Sequence, residues 1–99
     1  DAPPAVAIFL NGAPEVIPAL FLEGRTWVGV RALVQRLGGE IVQVTTEPFT
    51  VTVRNREVKT LAGQSRDGVG YVPFAEVIPL FGYPYEFHGK ELRLDITVP

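Results

Sequence analysis

The stretch EGRTWVGVRALVQRLGG, residues 23–39, returns in form 44 positions later as DGVGYVPFAEVIPLFGY, residues 67–83. Without a gap, Asn11 falls on Asn55, Gly24 on Gly68, Val28 on Val72 and Gly38 on Gly82, with Trp27 meeting Tyr71 and Ile17 meeting Leu61. The shared apolar positions and turn glycines predict two copies of one unit, at about 5–48 and 49–97, sharing a single domain over 1–99. Within each copy, Val30, Leu33, Val34 and Leu37, and then Phe74, Val77, Ile78 and Phe81, stand at i, i+3, i+4 and i+7, which makes one apolar stripe on a helix. Gly38 and Gly82 stand where a left-handed C-terminal cap is wanted. Pro79 falls inside the second helix, where its missing N–H and its ring predict a short, kinked or tightened segment near Ile78.

Outward from the helices the period changes. Asn11-Gly12 between AIFL and APEV is a hairpin signal, because both residues tolerate positive φ. Asn55, between TVTV and REVK, serves the same purpose less ideally. Glu23-Gly24 and Asp67-Gly68 are turn pairs, each followed by a short strand, TWV or GYV. After the helices, Ile41 with Gln43 and Tyr85 with Phe87 share one side of a strand by period-2 alternation. FTVTV (49–53) and LRLDI (92–96) return as further strands through turns at Thr46-Glu47-Pro48 and His88-Gly89-Lys90. AGQSRDGVG (62–70) reads as a mobile surface loop. The expected fold is α+β: an antiparallel sheet curled around two short amphipathic helices, its two hairpin–strand–helix–strand repeats related by a pseudo-twofold. A single unit has an apolar face that a second copy covers.

Composition bounds the chemistry. Hydrophobic residues make up 46% of the 99 residues and charged ones 20%, which suits a folded domain rather than a disordered chain. With no cysteine, neither disulfides nor zinc–thiolate sites are available. A net charge of −2 argues against a nucleic-acid partner, whose phosphates call for a basic surface. Apolar runs such as AVAIFL are too short for a membrane span. The start DAPPAV, with no methionine anywhere in the chain, suits a site just after signal-peptide removal, so the expected location is exported, at the cell envelope or outside the cell.

The Asn-Gly hairpin, an acidic residue before glycine, an aromatic, Val-Pro and an Arg-bearing apolar helix ending Leu-Gly resemble the copper amine oxidase N-terminal, or stalk-like, domain family. LNG at 10–12, EGRTWVGVRALVQRLGGEI at 23–41 and DGVGYVPFAEVIPLFGYPYEF at 67–87 carry that resemblance over nearly the whole chain. Three departures stand out: Gly29 replaces a usual proline, Ala75 replaces the arginine, and Pro79 interrupts the second helix. The resemblance implies an accessory domain of exported bacterial proteins, remote from copper chemistry. That chemistry needs three histidines and a tyrosine-derived cofactor, whereas this chain has one histidine. No copper, and no cofactor of any kind, is expected.

Among chemistry-bearing residues, His88 reads as a solvent-facing turn residue, with metal ligand or general base as the alternative. The acidic residues, from Glu40 to Asp95, show no spacing that predicts a catalytic pair. Ser65, the one serine, has no nucleophile-elbow context. Arg31 reads either as a fork over strand-end or loop carbonyls or as an anion or partner contact. Trp27, Tyr71 and Tyr83 are candidates for a surface that stacks sugars or binds protein, with core packing between the two repeats as the competing reading. No catalytic or metal residue is assigned. The expected function is therefore a non-catalytic, exported, stalk-like accessory domain making protein or cell-wall contacts. A small hydrolase using acidic residues is one alternative, which a cleft with converging carboxylates, or His88 beside an acid, would favour. A self-assembling module pairing FTVTV or LRLDI edges is the other.

Overall fold

The computed structural model describes residues 2–99. Its order is β1 (Ala7–Leu10), β2 (Ala13–Glu15), β3 (Ala19–Leu22), β4 (Arg25–Gly29), α1 (Val30–Leu37), β5 (Glu40–Thr46), β6 (Phe49–Asn55), β7 (Glu57–Ala62), β8 (Gln64–Arg66), β9 (Val69–Pro73), α2 (Phe74–Val77), β10 (Tyr85–His88) and β11 (Arg93–Ile96). The strands form three small sheets, ordered β10-β11-β1-β2, β3-β4-β9-β8 and β5-β6-β7. The radius of gyration is 12.7 Å, that of a compact chain of this length. This is the expected α+β class, with curled antiparallel sheets and two short helices. One pairing was not expected: β1 and β11 run parallel, Ala7 beside Arg93 and Leu10 beside Ile96.

The middle sheet organises the core. Glu23-Gly24 (φ 56° and 76°) and Asp67-Gly68 (φ 52° and 80°) close the β3–β4 and β8–β9 hairpins. Positive φ at both central residues matches the right-handed twist of the flanking strands. β4 and β9 then pair antiparallel, Val28 opposite Val72, and both helices pack on that pair. The eight stripe residues of the helices are all buried. Burying each large one contributes about 1.5–3 kcal/mol. α1 ends at Gly38 with φ 88°, whose N–H reaches the Gln35 carbonyl. α2 lasts one turn, and Ile78–Leu80 tighten into a 3-10 turn with Pro79 inside it. The proline has shortened the helix without unburying its stripe.

Four expectations need correction. First, 62–70 is not a loop: it holds the end of β7, all of β8 and the start of β9. Gly63 is there for proximity, since a Cβ on it would run into the Tyr71 carbonyl. Second, Asn55 ends β6 instead of turning; the positive φ falls on Arg56, at 70°. Asn55 Nδ2–H donates to the Leu80 carbonyl at 2.9 Å, tying β6 to the turn that Pro79 tightened. Third, FTVTV and LRLDI are not edges: β6 lies between β5 and β7, and β11 between β10 and β1. Edge pairing between copies through either segment is thereby excluded. Fourth, the 44-residue offset does not hold from Ala7. The buried residues Ile17, Trp27, Val28, Val30, Leu33, Val34 and Leu37 fall on buried residues, but the exposed Arg36 falls on the buried Leu80, and the buried Ile8 and Leu10 fall on Thr52 and Arg54, which are not buried. A one-residue change of phase turns a strand's side chains over.

Candidate functional site

Three places bring functional groups together. On the first, an aromatic shelf, β10 pairs with β11 so that Tyr85 lies opposite Ile96 and Phe87 opposite Leu94. Both aromatics therefore point to the face on which Leu94 and Ile96 are buried. But β10 is the outer strand, so they overhang the core, 51% and 38% exposed. The Phe87 ring stacks on Phe21 of β3 (centroids 5.9 Å apart, 7° between planes), and Phe74 meets Tyr85 edge to face at 5.0 Å. Beside them lies a cleft of about 140 Å³ reaching Arg25 and Thr26. Arg25 stands 4.7 Å over the Trp27 ring and 3.5 Å from Glu76 Oε2. Exposed rings beside a charged pair form a surface for stacking and polar recognition.

The second place is the opposite face of that sheet edge. His88 Nε2 lies 3.0 Å from Asp95 Oδ2 and 3.6 Å from Glu86 Oε1. His88 is the last residue of β10, not a turn residue, and it faces an acid. Arg93 donates to Asp95 from Nε at 3.1 Å and from Nη2 at 2.9 Å, and its guanidinium lies 3.7 Å over the Phe9 ring. The Arg93 hydrogen bonds hold the Asp95 carboxyl below its ordinary value; burial opposes them, and the charges of Arg93 and His88 add to them. Asp95 is therefore a fixed anion between the Arg93 guanidinium and the His88 imidazole. The cluster lies on a strand face, and no residue of it lines the cavities described here.

The third is a groove of about 460 Å³ between the start of α1 and the β5–β6 hairpin. Ile41, Val44, Phe49 and Val51 form its floor, with Arg31 on one wall and Ser65 on the other. The Phe49 ring closes over Gly70, where a Cβ would collide with it. No hydrogen bond or ion pair among the described residues joins the exposed Arg31 side chain, whereas Arg25, Arg36 and Arg54 each face a carboxylate. The expected fork over carbonyls does not form.

The surface reading of Trp27 and Tyr71 is corrected: each is 7% exposed. Trp27 Nε1–H donates to the Leu22 carbonyl at 3.0 Å, so its one polar atom is satisfied inside its own hairpin. Tyr83 is half-buried against the core, its ring 6.0 Å from Phe81. The exposed aromatics are instead Tyr85 and Phe87. Their i, i+2 spacing in YEFH was visible, but that β10 overhangs the core was not. The hairpin that joins β10 to β11 was visible in the sequence, but the register that ends β10 at His88 and sets it beside Asp95 was not. Among the described residues, no three His, Cys, Asp or Glu side chains group to hold a metal, and no helix is long and apolar enough to cross a membrane. No family model matches the chain, and neither a curated protein nor a solved structure matches it.

Proposed function

We propose that this chain is a non-catalytic, stalk-like accessory domain of an exported protein, and that it holds cell-wall glycan on the Tyr85–Phe87 shelf. The shelf is the observation that carries the reading. Sugar rings present apolar C–H faces that stack on aromatic rings, and equatorial hydroxyls that suit planar polar groups such as Arg25 and Glu76. The resemblance to stalk-like domains supports the compartment. In this proposal the two halves are copies about a pseudo-twofold passing between Val28 and Val72. The register supports that axis, since Trp27 pairs with Pro73 and Gly29 with Tyr71, and each half carries its acid–glycine turn and buried stripe at the same offset. The test is retention on purified peptidoglycan and on an envelope extract. The domain should be retained on the glycan, and Tyr85→Ala with Phe87→Ala should abolish retention while the domain still melts cooperatively, at a lower temperature because two ring contacts are lost. Equal retention of the double variant, or no glycan retention above that of a control domain, would sink the proposal; capture only by envelope proteins would move the reading to a protein contact.

A second reading, general acid–base hydrolysis, rests on His88 beside Asp95. A carboxylate that orients an imidazole is the start of such machinery. Two features weigh against it here: Asp95 is already engaged by Arg93, and the pair faces no cleft. Hydrolysis of ester or glycoside substrates that disappears in His88→Ala, in a variant that still melts normally, would establish it over the first.

A further inference from the structure

We propose that the groove between α1 and the β5–β6 hairpin is a binding site for single-tailed carboxylate amphiphiles. This site is separate from the aromatic shelf and does not depend on the glycan reading. Its volume of about 460 Å³ falls in the range of small-ligand sites, about 300–1,000 Å³. The floor is aliphatic and aromatic throughout: Ile41, Val44, Phe49 and Val51. Val44 remains 40% exposed, so the floor opens to solvent instead of being closed by the fold. The wall opposite supplies a single charged group, Arg31. No acidic side chain stands in the first turn of α1, and no ion pair among the described residues neutralises the guanidinium.

An apolar floor beneath one guanidinium fork that has no ion-pair partner among the described residues selects a ligand with an apolar tail and a planar anion at one end. Carboxylate matches guanidinium bidentately. The Ser65 hydroxyl, on the far wall, offers a further donor. A neutral head would leave Arg31 without a counter-ion, and a cationic head would be repelled.

Octanoate and octyltrimethylammonium, each titrated below its micelle concentration, and octanol, titrated below its solubility limit, test the proposal by amide chemical shifts of isotopically labelled protein. Octanoate should move the signals of residues 30–35, 41–51 and 68–70, and octanol should move the same signals more weakly. The ammonium amphiphile should leave them unmoved. Arg31→Gln should weaken octanoate about tenfold and leave octanol unchanged, while Arg31→Lys should recover part of the loss. Val44→Glu, at a solvent-open position, should abolish binding of both without unfolding the domain. Equal affinity for octanoate and octanol, insensitivity to Arg31→Gln, or shifts confined to Tyr85 and Phe87 would each overturn the assignment.

Discussion

The β5-β6-β7 sheet and the β10-β11-β1-β2 sheet solve the same problem with different wiring. In the first, a single seven-residue strand, β6, holds the centre, and its neighbours on both sides are joined to it by short turns. Its apolar side chains Val51 and Val53 are fully buried. In the second, the centre is shared by two four-residue strands from opposite ends of the chain, β11 and β1, paired in parallel. Ile8 and Leu10 come from one end and Leu94 and Ile96 from the other, and all four are buried. The first sheet can form from a local stretch. The second exists only once the chain has closed on itself, so loop-closure entropy must be overcome before its burial is gained.

That contrast can be broken most forcefully at the closing strand. Removing residues 93–99 deletes two buried side chains and leaves the edges of β1 and β10 without their partner. Each buried Leu or Ile alone is worth about 2–5 kcal/mol on truncation, comparable with the whole stability of a small domain. The cooperative thermal transition should vanish from far-UV circular dichroism. A shortened chain that still melts cooperatively would mean the first sheet and the helices suffice, and the contrast would lose its meaning.

Next in size are the helices that both halves share. Leu33→Ala should cost about 2–5 kcal/mol and Val77→Ala somewhat less, because fewer carbons are removed. Both side chains are fully buried at corresponding places on the stripes, so denaturant midpoints should fall in both variants. If Val77→Ala left the midpoint unmoved, the second helix, shortened at Pro79, would not be the counterpart of the first.

A smaller effect separates the two asparagines. Asn11 keeps φ 51° in its turn, donates from Nδ2 to the Val98 carbonyl at 3.1 Å and accepts from the Val98 N–H at 2.9 Å. It pins the end of the chain to the first hairpin. Asn11→Ala should cost about 1–2 kcal/mol, through lost hydrogen bonds and an unfavourable left-handed alanine. It should also speed amide exchange at residues 96–98. Asn55→Ala should instead loosen residues 78–82, because its partner is the Leu80 carbonyl. If the same amides exchanged faster in both variants, the two asparagines would share one role.

The smallest effect is confined to acid. Because Asp95 is depressed in the folded state, chiefly by its hydrogen bonds from Arg93, its contribution is present above the unfolded carboxyl value of about 3.9. It is lost as pH falls through the lower folded value. Asp95→Asn should therefore flatten the fall in stability below about pH 4 and change little of its slope above it. An unchanged acid limb would remove Asp95 from the account.

How much of this was legible in sequence depended on range. Features set by a residue and its near neighbours were readable: the acid–glycine turns, the glycine cap at Gly38, the tightening at Pro79 and both buried stripes. Features set by distant pairing were not. Nothing local tells RLDI that its neighbour is AIFL, yet that pairing makes LRLDI an interior strand. Tyr85 and Phe87 were placed together on one side of their strand. Whether that side was covered depended on where the sheet ended. Trp27 and Tyr71 failed as surface candidates for a related reason: turn-flanking glycines signal a hairpin, and do not reveal that its aromatics lie under neighbouring strands.

The parallel pairing of β1 and β11 also sets the molecule's response to tension. The chain enters the pair beside Ala7 and leaves it beyond Ile96, at the opposite end. A pull on Val6 and Thr97 thus runs along both strands in opposite directions. The ladder is loaded in shear, together with the Ala7 N–H to Leu92 and Asn11 N–H to Ile96 bonds at its two ends, each 2.9 Å long. These bonds must yield together; a hairpin pulled open at its mouth gives them up one by one. The strand pair that closes the fold is also the one that carries the load before tension reaches any element between Leu10 and Arg93.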